Sequence, residues 1–252
     1  MQTITFIGNG NMAMSIAQGL KERYKIEVVG RNIVNLGIFE KKLGISVEKH
    51  LLENFNMNHK TILLCVKPNN IKEVSQKCKG SADLLISVLA GSTLQTLQEH
   101  FKPNLLIRSM PNLCASVQKS MTTLTGDLEA KEKALTLLNS IGTSLWLQSE
   151  KEIDIATALA GSGPAYLALI AEALTDGAVK QGLKREDAMA TMRGLFQGFG
   201  ELIQEMHPAL LKDGVMSPAG TTAQGYSALE EGNVRASCIN AVEQAYKKAT
   251  QL

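Results

Sequence analysis

Residues 3–13 read Thr3-Ile4-Thr5-Phe6-Ile7-Gly8-Asn9-Gly10-Asn11-Met12-Ala13. A short β-branched and aromatic run stops at a glycine, and apolar residues at helical spacing (Met12, Ile16, Leu20) follow it. Strand, glycine turn, helix is the setting in which G-x-G-x-x-A reads as a dinucleotide fingerprint. Gly8 permits the tight turn, Gly10 lets backbone approach a pyrophosphate, and Ala13 keeps helix and sheet close. The free N–H groups of the helix start, Asn11 and Met12 among them, then face the phosphates.

The pattern continues outward. Ile26 to Val29, Ile62 to Val66, Leu84 to Leu89 and Asn104 to Arg108 are apolar runs separated by helix-length segments. Continuously apolar strands are covered on both faces, and strands alternating with helices make βαβ units. The first half is therefore expected to be a doubly wound parallel α/β sheet over residues 1–150. From about Lys151 strand signals stop. Ile153–Leu183, Lys184–Met206 and Ser227–Gln251 read as long helices, giving an all-α domain over residues 151–252. Ser162, Gly163 and Pro164 read as a helix start with serine as cap. The Ala/Leu-rich helices make a modest core that a second subunit would complete.

Composition narrows the function. The chain has 252 residues, 44% hydrophobic and 20% charged, with net charge +2. Residues 1–150 carry 17 basic against 12 acidic side chains, and the remainder 9 against 12. That imbalance is too scattered for nucleic acid but suits a first half that holds a small anion. Cys65, Cys78, Cys114 and Cys238 lack disulfide or zinc spacing, and the four histidines lack metal spacing, so no metal is expected. The N-terminus has no basic region before an apolar run, and the uncharged stretch Ile155–Ala171 is broken by Gly161–Pro164. Neither a secretory signal nor a membrane span is expected; the location expected is the cytoplasm.

The end of the second strand bears on the cofactor. An NAD site places an acid there, whereas this chain has Gly30-Arg31-Asn32. Glu27 is the nearest acid but lies mid-strand. Arg31 can pair with a 2′-phosphate, so NADPH is expected, with NADH as the alternative and a solvated loop arginine as the bland reading.

Further motifs are Val66-Lys67-Pro68, Ala90-Gly91, Arg108-Ser109-Met110-Pro111-Asn112, Gly161-Ser162-Gly163-Pro164-Ala165-Tyr166 and Ser217-Pro218-Ala219-Gly220-Thr221-Thr222. Leu211-Lys212-Asp213, Leu229-Glu230 and Val234-Arg235 complete the series. Together they resemble the pyrroline-5-carboxylate reductase family along essentially the whole chain. The resemblance implies a Rossmann domain followed by a helical dimerisation domain. It implies hydride transfer from NAD(P)H to C5 of 1-pyrroline-5-carboxylate, giving L-proline, in a homodimer or larger homo-oligomer.

The resemblance also assigns roles. Ser217, Pro218, Ala219, Gly220, Thr221 and Thr222 match the loop that binds the substrate carboxylate. Thr222 matches the threonine beside the ring nitrogen, and Glu205 a carboxylate proposed as proton donor. Val66, Lys67, Pro68, Ala90 and Asn112 match positions beside the nicotinamide half of the cofactor; Arg31 and Asn32 lie at its other end. Each has a plainer alternative: helix capping for Ser217 and Thr222, solvation for Glu205 and Lys67. Two departures stand out, Ala219 where the family has glycine and Leu113-Cys114 where it has Thr-Pro. Alanine puts a left-handed backbone at 219 in question. The rival readings are a related NADP-dependent imine or oxo-acid reductase and a non-catalytic dinucleotide-binding sensor.

Overall fold

The structure is a computed structural model in which residues 1–250 are described. Contacts divide it into two compact units, one holding Met1–Pro164 and the residues from Ala245 onward, the other Ala165–Gln244.

The first unit begins β1 (Thr3–Ile7), α1 (Asn11–Leu20), β2 (Lys25–Gly30), α2 (Ile33–Leu43), β3 (Glu48–Leu51), β4 (Phe55–Asn56) and β5 (Thr61–Leu64). It continues α3 (Ile71–Lys77), β6 (Cys78–Lys79), β7 (Leu84–Ser87), α4 (Leu94–Phe101), β8 (Leu105–Met110) and β9 (Ser120–Gly126). Then come α5 (Lys131–Leu138), β10 (Gly142–Trp146) and α6 (Glu150–Ala156). The main sheet has the order β10-β9-β8-β7-β5-β1-β2-β3. The six strands from β3 to β8 run parallel; β9 pairs antiparallel to β8, and β10 follows β9. Strand order reverses beside β1, and ligands of open α/β sheets bind at such a reversal, outside the carboxyl ends of the strands.

Alternation along the strands sends side chains to two cores. Ile4, Phe6 and Val28 pack with Ile16 and Leu20 of α1, Phe39 of α2 and Leu138 of α5. Ile7, Val29, Ile62 and Leu64 pack with Val74 of α3 and with Leu97 and Phe101 of α4. Full burial of such side chains contributes about 1.5–3 kcal/mol each.

The second unit is helical: most of α7 (Gly163–Lys180), then α8 (Arg185–Glu205), α9 (Pro208–Val215), α10 (Thr221–Glu231) and much of α11 (Val234–Ala249). Among its described residues only Thr175 and Ala188 are fully buried, while Leu167, Leu169, Leu195, Phe199 and Leu210 are exposed. Two local expectations are corrected. Ser162 is not an N-cap: it has helical φ and ψ and follows a π turn, Thr157–Gly161, that joins α6 to α7 in one helical path. The helix expected over Ser227–Gln251 is two, parted at Gly232-Asn233, where Asn233 takes φ +56°.

Candidate active site

Three strand ends build a cleft of about 440 Å³ lined by Gly8, Gly10, Val29, Gly30, Arg31, Leu52, Cys65, Val66, Lys67, Asn70 and Val74. Its floor depends on Gly8. This residue has φ +109°, donates to the carbonyl of Val29 at 2.9 Å, and lies where a Cβ would come within 2.5 Å of the Cys65 carbonyl oxygen. A Cβ at Gly10 would meet no atom of the chain, so that space is open to a ligand. Gly10 is also the N-cap of α1 and supplies no side-chain cap, which leaves the first-turn N–H groups for an anion. Ala13 is fully buried and lets α1 lie close on the sheet. These features fit a dinucleotide pyrophosphate.

Other expected contacts fall in several places. Arg31, Val66 and Lys67 line the cleft, and Pro68 opens the short turn Pro68–Asn70 beside it. Asn11 lines a smaller adjoining hollow with Met14 and Asn35, whereas Met12 packs against the core. The Asn32 side-chain oxygen caps α2, accepting from Val34 N at 2.8 Å. Ala90 follows β7 and Asn112 follows β8, and neither lines the cleft. Asn112 is buried and bonded within the chain, donating through Nδ2 to the Ala160 carbonyl at 2.9 Å and accepting from Cys114 N at 3.1 Å.

Leu52, Cys65, Asn70 and Val74 escaped the sequence reading, since apolar or amide residues after a strand carry no distinct signal. Burial pushes the Cys65 thiol up, which makes it an unreactive wall. All four cysteines are free. Glu27 is not a ribose ligand: it is buried mid-strand, accepts from Thr5, and holds Lys60 Nζ at 2.9 Å from both its oxygens. Glu48 and His50 join it in a cluster that could offer three metal ligands, with the Lys60 ammonium already supplying a positive charge.

In the second unit, Met216–Gly220 turns back on itself through Gly220 N donating to Ser217 O at 3.0 Å. Ala219 takes φ +56°, so the left-handed conformation persists without glycine, at a cost of about 1–2 kcal/mol. A Cβ on Gly220 would meet Ser217 Oγ at 2.3 Å. Gly220 is the N-cap of α10 and has no side-chain cap bond, so Ser217 and Thr222 do not cap this helix. The first-turn N–H groups of Thr221, Thr222 and Ala223 remain available to a carboxylate. One network ties the surrounding helices. Arg235 of α11 donates to Glu230 at 3.1 Å and to the Tyr226 hydroxyl oxygen at 2.6 Å, Tyr226 donates to Glu230, and Lys212 of α9 lies 5.2 Å from the Tyr226 ring centre. Arg235 holds the Glu230 carboxyl below its ordinary value. Glu205 is the exposed last residue of α8.

A doubly wound sheet with a glycine cleft at its strand reversal, followed by an all-helical segment, defines an NAD(P)-dependent oxidoreductase of Rossmann type. Residues 3–91 match the family described as NADP oxidoreductase coenzyme F420-dependent, and residues 150–252 match pyrroline-5-carboxylate reductase dimerisation. A pyrroline-5-carboxylate reductase of Glycine max is 36% identical, over 99% of this chain and 96% of its own. One from Helicobacter pylori (strain J99) is 30% identical, over 98% and 99%. Among solved structures, the pyrroline-5-carboxylate reductase of Coxiella burnetii aligns with TM-score 0.86 at 33% identity, covering 98% of this chain and 97% of that one. The Plasmodium falciparum enzyme with NADP bound aligns with TM-score 0.83 at 27% identity, covering 99% and 97%. The chain belongs to the pyrroline-5-carboxylate reductase family.

By length and composition the path Glu150–Lys180 could also cross a membrane. The match of residues 150–252 to a dimerisation domain supplies a different use for its exposed leucines.

Proposed function

We propose that the protein reduces 1-pyrroline-5-carboxylate to L-proline with NADPH. The supporting observation is that one chain carries both the Gly8–Ala13 phosphate cleft and the left-handed Ser217–Gly220 turn at an uncapped helix start. Its relatives of that name align with it nearly end to end.

The cofactor, when bound, supplies the hydride that adds to C5 of the cyclic imine. The chain's own residues bind and orient. Uncapped N–H groups of α1 hold the pyrophosphate, and Arg31 pairs with a 2′-phosphate. Lys67, at the rim, adds positive charge toward phosphate or ribose. The α10 start receives the substrate carboxylate, with the Ser217 and Thr221 hydroxyls as further donors. The Thr222 hydroxyl orients the ring nitrogen and keeps a proton on it, so that hydride addition at C5 leaves a neutral secondary amine. Glu205 is a second proton source to test. Asn112 acts through backbone positioning, since its side chain is committed to Ala160 and Cys114.

The active unit in this reading is at least a homodimer formed by residues 151–252, whose exposed Leu167, Leu169, Leu195 and Phe199 need cover. Free thiols support a reducing, cytoplasmic location. The rival imine-reductase reading rested on Ala219, and that residue keeps the left-handed turn. The deciding experiment follows NADPH oxidation with 1-pyrroline-5-carboxylate and identifies proline as product. Oxidation without proline, or none, would overturn the proposal.

A further inference from the structure

Arg31, the residue assigned to the 2′-phosphate, already has an anionic partner. Its Nη1 lies 3.4 Å from Oε2 of Glu73 on α3. The other oxygen of Glu73, Oε1, lies 3.2 Å from Lys77 Nζ, which is also 3.5 Å from Glu53. Both acids raise the Lys77 ammonium above its ordinary pKa, Glu73 most. A chain of alternating charge, Arg31–Glu73–Lys77–Glu53, thus runs beside the β2 end of the cleft, where a ribose belongs. Asn70 and Val74 line that cleft from the segment that carries Glu73.

We propose that Glu73 is a specificity residue that competes with the 2′-phosphate of NADPH for Arg31 and so narrows the preference over NADH. This rests on the NADPH reading given above. A 2′-phosphate must draw the Arg31 guanidinium off Glu73 and then sit near a like charge. NADH brings only a hydroxyl to that place and leaves the pair intact. Lys77 moderates the exchange, because Glu73 keeps one cation when Arg31 leaves. The acid that a β2 terminus would offer to a ribose diol is thereby supplied from α3, on the same rim as an arginine suited to phosphate. Both side chains are substantially exposed, at 61% for Arg31 and 39% for Glu73, so the effect is modest and weakens with salt.

The test measures Kd for NADPH and NADH by fluorescence titration at low ionic strength, on the full chain, for wild type, Glu73→Gln, Arg31→Ala and the double variant. Glu73→Gln is expected to tighten NADPH about two- to fivefold without tightening NADH. In the Arg31→Ala background the same substitution should do almost nothing. No change with Glu73→Gln, equal changes for both cofactors, or an undiminished effect without Arg31 would each overturn the proposal. Arg31→Ala separates the two claims. Weakened NADPH binding with a silent Glu73→Gln sinks the Glu73 role alone, whereas an unchanged NADPH-to-NADH ratio removes the NADPH reading and the Glu73 role with it.

Discussion

Arg108 of β8 and Asp154 of α6 form an ion pair in which the arginine is almost wholly buried, and a second carboxylate, Glu150, accepts from Arg108 Nη1 at 3.0 Å. Glu150 also accepts from Leu94 N at 2.9 Å, so one guanidinium joins the sheet, α6 and the start of α4. Arg108 Nε has no hydrogen-bond partner among the described residues, which makes the group dependent on its two carboxylates. Breaking a buried pair on one side costs about 3–5 kcal/mol. Arg108→Met should therefore lower the unfolding free energy by that order in urea titrations. A loss under about 1 kcal/mol would show the pair to be incidental.

Gly8 and Gly10 should separate folding from binding. Gly8→Ala places a methyl against the Cys65 carbonyl at a positive φ, and is expected to destabilise the fold by about 2 kcal/mol or more. Gly10→Ala meets no protein atom, so its melting temperature should match wild type. Its NADPH affinity should nonetheless fall about tenfold or more, or roughly 1.4 kcal/mol. Unchanged affinity in Gly10→Ala would move the pyrophosphate elsewhere.

The α10 turn offers a second pair. Ala219→Gly relieves a left-handed alanine and should raise stability by about 1 kcal/mol. Thr222→Ala should lower kcat/KM for 1-pyrroline-5-carboxylate about ten- to a thousandfold while leaving NADPH affinity nearly intact. Wild-type turnover in Thr222→Ala would remove that hydroxyl from the chemistry.

Alkaline stability should report on Cys78. Burial raises its thiol from the ordinary 9.0 to about 11. Below pH 9.0 the thiol is protonated in both folded and unfolded chains, so stability there is independent of it. Between pH 9.0 and about 11 only the unfolded chain ionises, and stability falls as pH rises. Cys78→Ala should give a shallower decline over that window. An unchanged slope would show that the buried thiol does not set it.

Much of this was legible in the residues. The strands β1, β2, β5, β7 and β8 are apolar runs because both faces of the sheet are covered, and the glycine loop announces its cleft. The strands β3 and β10 were not, because edge strands such as Glu48-Lys49-His50-Leu51 lack that signature. Thr-rich β9 was hidden in the same way. At the π turn the sequence predicts a break, since glycine and proline beside each other argue against continuation. The helical path continues because an i→i+5 bond, Ser162 N to Thr157 O at 3.0 Å, absorbs the extra residue. Glu73 carried no signal at all: an acid on a short helix looks solvated until its neighbours are known.

The position of β1 has a consequence for how the chain is made. It is made before both of the strands that flank it, β2 and β5, and ends between them. The helix after it, α1, packs against the turn Asn139–Ile141, with Gly19 set so close to Ser140 that a Cβ would come within 2.5 Å of its carbonyl oxygen. At synthesis rates of about 5–20 residues per second, the nascent chain waits roughly six to twenty-five seconds before Ile141 arrives to cover Ile16 and Leu20. Throughout that interval its opening strand and helix are greasy, incompletely sheltered peptide. The fingerprint loop is thus translated before every other part of the site, while the residues that finish covering the helix behind it are still to come.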